Sequence, residues 1–234
     1  MALGRGEILL RPVNTKSARM FVIACEGEVA EKRYFEDIVE EFKLQRVQVR
    51  VLDPQSDVRG KKSSRSSPLQ VLQRMNSFIE RNERYLKFGD ELWLVMDIDH
   101  HRKGKHQHNL RRALQLAQDA DYSVAVSNPR FELWLLLHFT ELPTAEDCLL
   151  KGWLEQEIVD LGGFNPKKSI NIAVLRDGVT AAIERARAKD TNDQSTDPDS
   201  VLPGLPGSHV YRLMENLGRA EATANRPTPF LNSS

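Results

Sequence analysis

The stretch MFVIACEG, residues 20–27, decides how the rest of the chain is read. Six apolar residues in a row, with no polar position to mark a wet face, describe a strand buried on both sides. Such strands belong to parallel sheets covered by helices. The run stops at Glu26-Gly27, and the period then changes. Tyr34, Phe35, Ile38, Val39 and Phe42 recur at helical spacing, which predicts a helix from about Glu28 to Lys43. Val47, Val49 and Val51 alternate with polar residues, as in a strand nearer the sheet edge. Ser67-Pro68 opens a helix reaching roughly Lys87. LWLVM, residues 92–96, makes a second doubly buried strand and ends in Asp97-Ile98-Asp99. A helix follows from near Asn109 to before Asp121, and Tyr122 to Val126 forms a short strand closed by Ser127-Asn128-Pro129. Strands and helices alternating in this way predict right-handed crossovers and a mainly parallel α/β sheet.

Beyond Phe131 the pattern is helical, over residues 131–139, about 145–160, about 169–189 and from Val210 to about Ala220. The expected organisation is an α/β core over 18–140 and a helical extension over 141–222. The extension carries a flexible Pro/Gly-rich loop near 190–208, and a tail occupies 223–234. The chain has 234 residues with 33 Lys+Arg against 33 Asp+Glu, so it does not coat nucleic acid by bulk attraction. No apolar run reaches the length of a membrane span, and the start lacks the apolar centre of a secretory signal. Two cysteines, Cys25 and Cys148, exclude a disulfide scaffold and a Cys-rich zinc site, so a cytoplasmic setting is expected.

Ligands of an open parallel sheet bind outside the carboxyl ends of its strands. Two such ends carry acids here: Glu26 after the first strand, and Asp97 with Asp99 after the third. Asp97 and Asp99 project to the same side if the strand persists that far. Mg²⁺ takes oxygen ligands and commonly uses a few carboxylates together with substrate phosphate, and Mn²⁺ is a possible substitute. Acids at strand ends also start turns and cap helices, and Glu26-Gly27 or DxD alone would be weak. Together, at two apolar strand ends, they favour metal.

These residues resemble something specific. Glu26-Gly27 after one strand and Asp97-Ile98-Asp99 after another, about seventy residues later, look like the Toprim fold of topoisomerases, bacterial primases and OLD-family nucleases. More closely, CEGEVAEKRYF (residues 25–35), LVMDIDHH (94–101) and SNPRFELWLLLHF (127–139) are similar to the signatures of the RloB-like family, as is the late GSHVYRLMENL (207–217). The resemblance implies a Toprim-like sheet with a C-terminal helical extension. It also implies a Mg²⁺-dependent nuclease of prokaryotic anti-phage defence, acting on DNA, tRNA or other RNA, often encoded beside an ATPase. It carries metal ligation to Asp97 and Asp99, with Glu26 as a third ligand or the general base. In the wider Toprim pattern the second acid lies four residues after the first. Glu31 lies five after Glu26, and Glu28 rivals it.

Gly27 lets the backbone approach a phosphate at the positive end of the following helix, or simply makes a tight turn. Glu132 lies inside the apolar helix FELWLLLHF, so it either joins the acids or pairs with an arginine. His138 and Trp134 read as core. The stretch 100–112 holds four histidines and five Lys/Arg, among them Lys103 and Lys105, and is placed to contact phosphate. Arg59, Lys61, Lys62 and Arg65 form a second basic loop, and Lys167 with Lys168 is a further candidate for phosphate. A homo-oligomer is a further candidate assembly. The competing functions are a non-cleaving regulatory or nucleic-acid-binding subunit, and another nucleotide-processing metal enzyme. The latter usually carries a Gly-rich phosphate loop, which this chain lacks.

Overall fold

The computed structural model describes residues 18–27, 29–53, 67–99, 104–193 and 202–222. Glu28, the basic loop with Arg59, Lys61, Lys62 and Arg65, His100, His101, Lys103 and the tail 223–234 lie outside the described residues, as does the side chain of Lys105.

The molecule is a mixed α/β fold built on one five-stranded sheet in the order β2-β1-β3-β4-β5. Its strands are β1 Arg19–Cys25, β2 Val47–Leu52, β3 Glu91–Asp97, β4 Ser123–Asn128 and β5 Gly207–Ser208. The first four are parallel and β5 is antiparallel to β4. As the alternation of Val47, Val49 and Val51 predicts, β2 lies at the edge. The apolar runs of β1 and β3 occupy the centre, where both faces are covered.

Strand parity sorts the core into two layers. Phe21, Ile23 and Cys25 with Val51, Trp93, Val95 and Ala125 face one side. There they pack on α1 (Ala30–Glu41), α4 (Phe131–Leu136), α6 (Trp153–Gly162), α8 (Val179–Asp193) and α9 (Val210–Glu221). Met20, Val22 and Ala24 with Leu94, Met96 and Val126 face α2 (Pro68–Asn82) and α3 (Lys105–Asp119) on the other side. His138 is core, as expected: Tyr34 Oη lies 3.1 Å from its Nε2, and its Nδ1 lies 2.9 Å from the Trp134 carbonyl.

Several element limits differ from the sequence expectation for local reasons. The helix expected over 145–160 is two, α5 Ala145–Leu149 and α6, because Gly152 takes a left-handed φ of 80° between them. The helix expected over 169–189 starts as the short α7, Ile172–Leu175, passes through a 3-10 turn and continues as α8 to Asp193. Asp190 is therefore helical. Its carboxylate accepts hydrogen bonds from Tyr211 Oη at 2.6 Å and Arg212 Nη2 at 2.7 Å, which fastens α8 to α9. β4 runs two residues past Val126 because Ser127 and Asn128 pair with Ser208 and Gly207. No helix of the described residues is long and apolar enough to cross a membrane.

The end of α9 closes on the sheet edge. Glu221 is buried, and its carboxylate accepts from the backbone N–H of Gln45 and of Arg46, the latter at 2.7 Å, just before β2. Removing one partner of a buried, charge-assisted pair leaves the amides unsatisfied. Glu221→Ala should therefore lower the unfolding free energy by about 1–3 kcal/mol, read from urea denaturation.

Candidate active site

In a sheet of order 2-1-3-4 the winding reverses between β1 and β3, and a crevice opens outside their carboxyl ends. Helix placement agrees, since α1 leaves β1 on one face whereas α2 and α3 cross on the other. Glu26 and Asp97 stand at this switch point. Cys25 pairs with Val95, and the Glu26 N–H continues the ladder to Val95 O at 2.9 Å. The Glu26 side chain turns back so that Oε2 lies 3.4 Å from the Asp97 amide.

Asp97 has the parity of Val95 and Cys25, so its side chain belongs to the face covered by α1 and α4. Its Oδ1 is buried and has no hydrogen-bond partner among the described residues. Burial pushes this carboxyl well above the usual carboxylate range, and Glu31, Glu26 and Glu132 push it further, against the opposing charge of Arg130. Glu31, on the first turn of α1, is pushed up to about 7 by burial and then by Glu132. Glu132, on the first turn of α4, is raised by burial and held back by Arg130. Four carboxylates thus act on one another at the ends of β1 and β3.

Glu31 is a member of this cluster despite its five-residue offset from Glu26. Its Oε1 accepts the Gly27 N–H at 2.9 Å. A Cβ on Gly27 would stand 2.0 Å from Glu31 Oε2, so glycine makes room for this carboxylate. Glu132 acts on Asp97 through its charge and is itself offset by the charge of Arg130, whose hydrogen bonds go to Glu155.

Asp99 is placed differently from the strand expectation. β3 ends at Asp97, and Asp99 has a left-handed φ of 45° while its N–H donates to Pro129 O at 2.9 Å. The two-residue alternation that would align it with Asp97 is broken there. Asn128 Nδ2 donates to Pro203 O at 3.0 Å.

Arg130 and His106 complete the surroundings; Arg130 did not stand out in the sequence, and His106 stood out only as one of the four histidines of the stretch 100–112. Arg130 makes a two-pronged bond to Glu155 on α6, at 2.9 and 3.2 Å, and Lys167 Nζ joins the same carboxylate at 2.7 Å. Burial alone would raise Glu155, but the Lys167 and Arg130 hydrogen bonds bring it down to about 2. His106 is buried, although it lies in a stretch expected to be basic surface. The reason is that α3 begins at Lys105, one turn before Asn109, which puts His106 in line with Leu110, Ala113 and Ala117 on the inward face. Extending the helical period back by one turn would have found it. Arg111 and Arg112 remain exposed on the same helix. On the other flank, the buried Arg74 of α2 donates from Nη1 to Cys25 O at 2.8 Å, holding the end of β1 that precedes Glu26.

A family model described as RloB-like protein matches residues 21–217. The chain belongs to the RloB-like family. No curated protein and no solved structure matches it. The matched span of this RloB-like chain includes every site residue above, from Glu26 to Lys167, and the greater part of α9.

The raised Glu31 has a consequence for stability. The folded chain binds a proton there that the unfolded chain, with an ordinary value near 4.5, has released by neutral pH. Stability is therefore greatest below about 4.5 and falls as pH rises through about 7. In the presence of chelator, Glu31→Gln should gain about 1–3 kcal/mol over the parent at pH 8, and little at pH 4.5. Thermal melts across this range check it, and parallel profiles for the two proteins would show that Glu31 does not carry the strain.

Proposed function

We propose that this RloB-like chain is a divalent-cation-dependent nuclease of prokaryotic anti-phage defence that hydrolyses DNA or RNA phosphodiester bonds. The observation that carries this reading is Asp97, whose buried Oδ1 has no hydrogen-bond donor among the described residues while three other carboxylates act on it. Such a cluster is deficient in positive charge, and strongly perturbed groups at a switch point mark functional sites.

The donor chemistry fits a hard dication. Among the described residues, no three His, Cys, Asp or Glu side chains form a group that would hold an ion unaided. Mg²⁺ usually needs no such cage, because it keeps several waters and takes phosphate oxygens. Asp97 and Glu26 are the residues to hold it, and Asp99 stays a candidate two residues beyond. When bound, Mg²⁺ or Mn²⁺ neutralises phosphate charge and makes water a stronger nucleophile.

The protein's own residues do the rest. Gly27 and Glu31 fix the turn that carries Glu26. Burial raises Glu132, which acts on Asp97, and Arg130 opposes that rise. Arg111 and Arg112, exposed on α3, are candidates for contacting the nucleic-acid backbone, and Lys103 and Lys105 join them by their place in the sequence. An ATPase encoded nearby is a candidate partner for delivering or licensing the substrate.

The purified chain, alone and with such an ATPase, should cleave DNA or tRNA in Mg²⁺ or Mn²⁺ and not in chelator. Asp97→Ala should lower cleavage by about a hundredfold or more, measured by gel-resolved product formation. Undiminished cleavage by that variant would remove Asp97 from the site. Nucleic-acid binding without cleavage under every condition would favour the regulatory subunit instead.

A further inference from the structure

His106 is a buried polar side chain beside the four carboxylates that the cluster does not account for. It sits on the first turn of α3, and its two ring nitrogens face the two strand ends that carry the acids. Nε2 lies 3.2 Å from the backbone carbonyl of Asp97, and Nδ1 lies 3.8 Å from Glu26 Oε1. Only 8% of the His106 side chain and 7% of the Glu26 side chain are exposed, so bulk water is largely kept from this gap.

The chemistry of the carbonyl fixes the ring. A carbonyl oxygen only accepts, so Nε2 must carry the hydrogen that meets Asp97 O. In the neutral ring Nδ1 then presents a lone pair, and it presents it toward a carboxylate oxygen. Two electron-pair donors do not hydrogen-bond to each other, and 3.8 Å is too long for a hydrogen bond in any case. Metal-bound histidines have this arrangement: one nitrogen donates to a carbonyl or carboxylate and the other holds the ion. Two ligand atoms each about 2.1 Å from a shared ion can stand at most about 4.2 Å apart, and the observed gap lies inside that limit. Asp97 adds the second sign. The residue whose carbonyl orients the ring also has the buried Oδ1 with no partner among the described residues.

We propose that His106 Nδ1 is a nitrogen ligand to a divalent cation shared with Glu26, which makes the centre a mixed nitrogen–oxygen site that selects Mn²⁺-class ions over Mg²⁺. The proposal rests on the metal reading above and sharpens it. An all-carboxylate site suits Mg²⁺, whereas an imidazole nitrogen favours first-row transition ions. Glu26 is then a ligand, and the general base must come from elsewhere. The first turn of α3 is tied to the metal, which brings Arg111 and Arg112 into fixed relation with it.

The test uses the full chain freed of metal. Titration calorimetry gives its affinities for Mn²⁺ and Mg²⁺, and pulsed electron paramagnetic resonance of the Mn²⁺-loaded protein detects coupling to ¹⁴N of imidazole. The expected result is Mn²⁺ bound at least about tenfold tighter than Mg²⁺, with ¹⁴N coupling present. His106→Gln keeps an amide donor for Asp97 O but has no imidazole. It should lose the coupling and bring the two affinities together, whereas His108→Gln, on the exposed side of α3, should keep both properties. Should His106→Gln fail to fold, as judged by circular dichroism, the triple variant H100Q/H101Q/H108Q replaces it, and loss of coupling there overturns the proposal. Bound Mn²⁺ without ¹⁴N coupling also overturns it and leaves an oxygen-only centre standing, and coupling that survives His106→Gln overturns it by giving the nitrogen to another residue. No binding of either ion overturns the metal reading along with it.

Discussion

The side chain of Asp97 lies where the sheet reverses its winding and where helices cover the sheet face, and the rest of the site depends on that coincidence. The parity of β3 leaves no choice of side: with Val95 buried against α1 and α4, Asp97 is carried to the same face. The parallel register of β1 brings Glu26 level with it. A carboxylate in such a place is costly unless it is paired. No neutral donor meets Asp97 Oδ1 among the described residues, and the nearest elements contribute more acid, Glu31 from α1 and Glu132 from α4. Charge of opposite sign must come from a proton or a cation.

Arg130 shows why the protein's own cations do not suffice. It stands between two carboxylate groups and is drawn by both, by Glu132 and Asp97 through their charge and by Glu155 through hydrogen bonds and charge. Glu155 takes it through two short hydrogen bonds and is drawn down to about 2, with Lys167 adding to the effect. Toward Asp97 and Glu132 it acts only through its field, and Glu31 stays near 7. The hydrogen bonds of the guanidinium thus go to Glu155, while its charge also reaches Glu132 and Asp97, and Asp97 stays raised in spite of it.

Much of this arrangement was legible in the sequence, and what was missed has physical causes. The runs of β1 and β3 are apolar at every position, so their burial on both faces and their central place could be read directly. Glu26, Asp97 and Glu132 stood out because acids ending or interrupting such runs are conspicuous. Glu31 did not, because a five-residue offset is a poor match to a motif. Only the fold shows that the turn at Gly27 brings its carboxylate back to the Gly27 amide. His106 was hidden by its neighbours, since a segment rich in Lys, Arg and His has the composition of a surface. The early start of α3 turns this one position inward. Asp99 was misaligned for the opposite reason: a dipeptide spacing assumes that the strand continues, and β3 stops at Asp97.

The helical extension shares the core of the sheet and also sets the charge at its end. Leu154 and Ile158 of α6 and Leu213 and Leu217 of α9 belong to the same buried cluster as Phe21 and Ile23. β5 lengthens the sheet beside Ser127, the residue paired with Asp97. Glu155 comes from this extension, and by holding Arg130 and Lys167 it decides how much positive charge the acids receive. A shift of α6 that loosened Glu155 would free Arg130 and Lys167 from it and change the charge that Asp97 and Glu132 meet. The charge at the acids and the packing of the extension are therefore linked through one carboxylate.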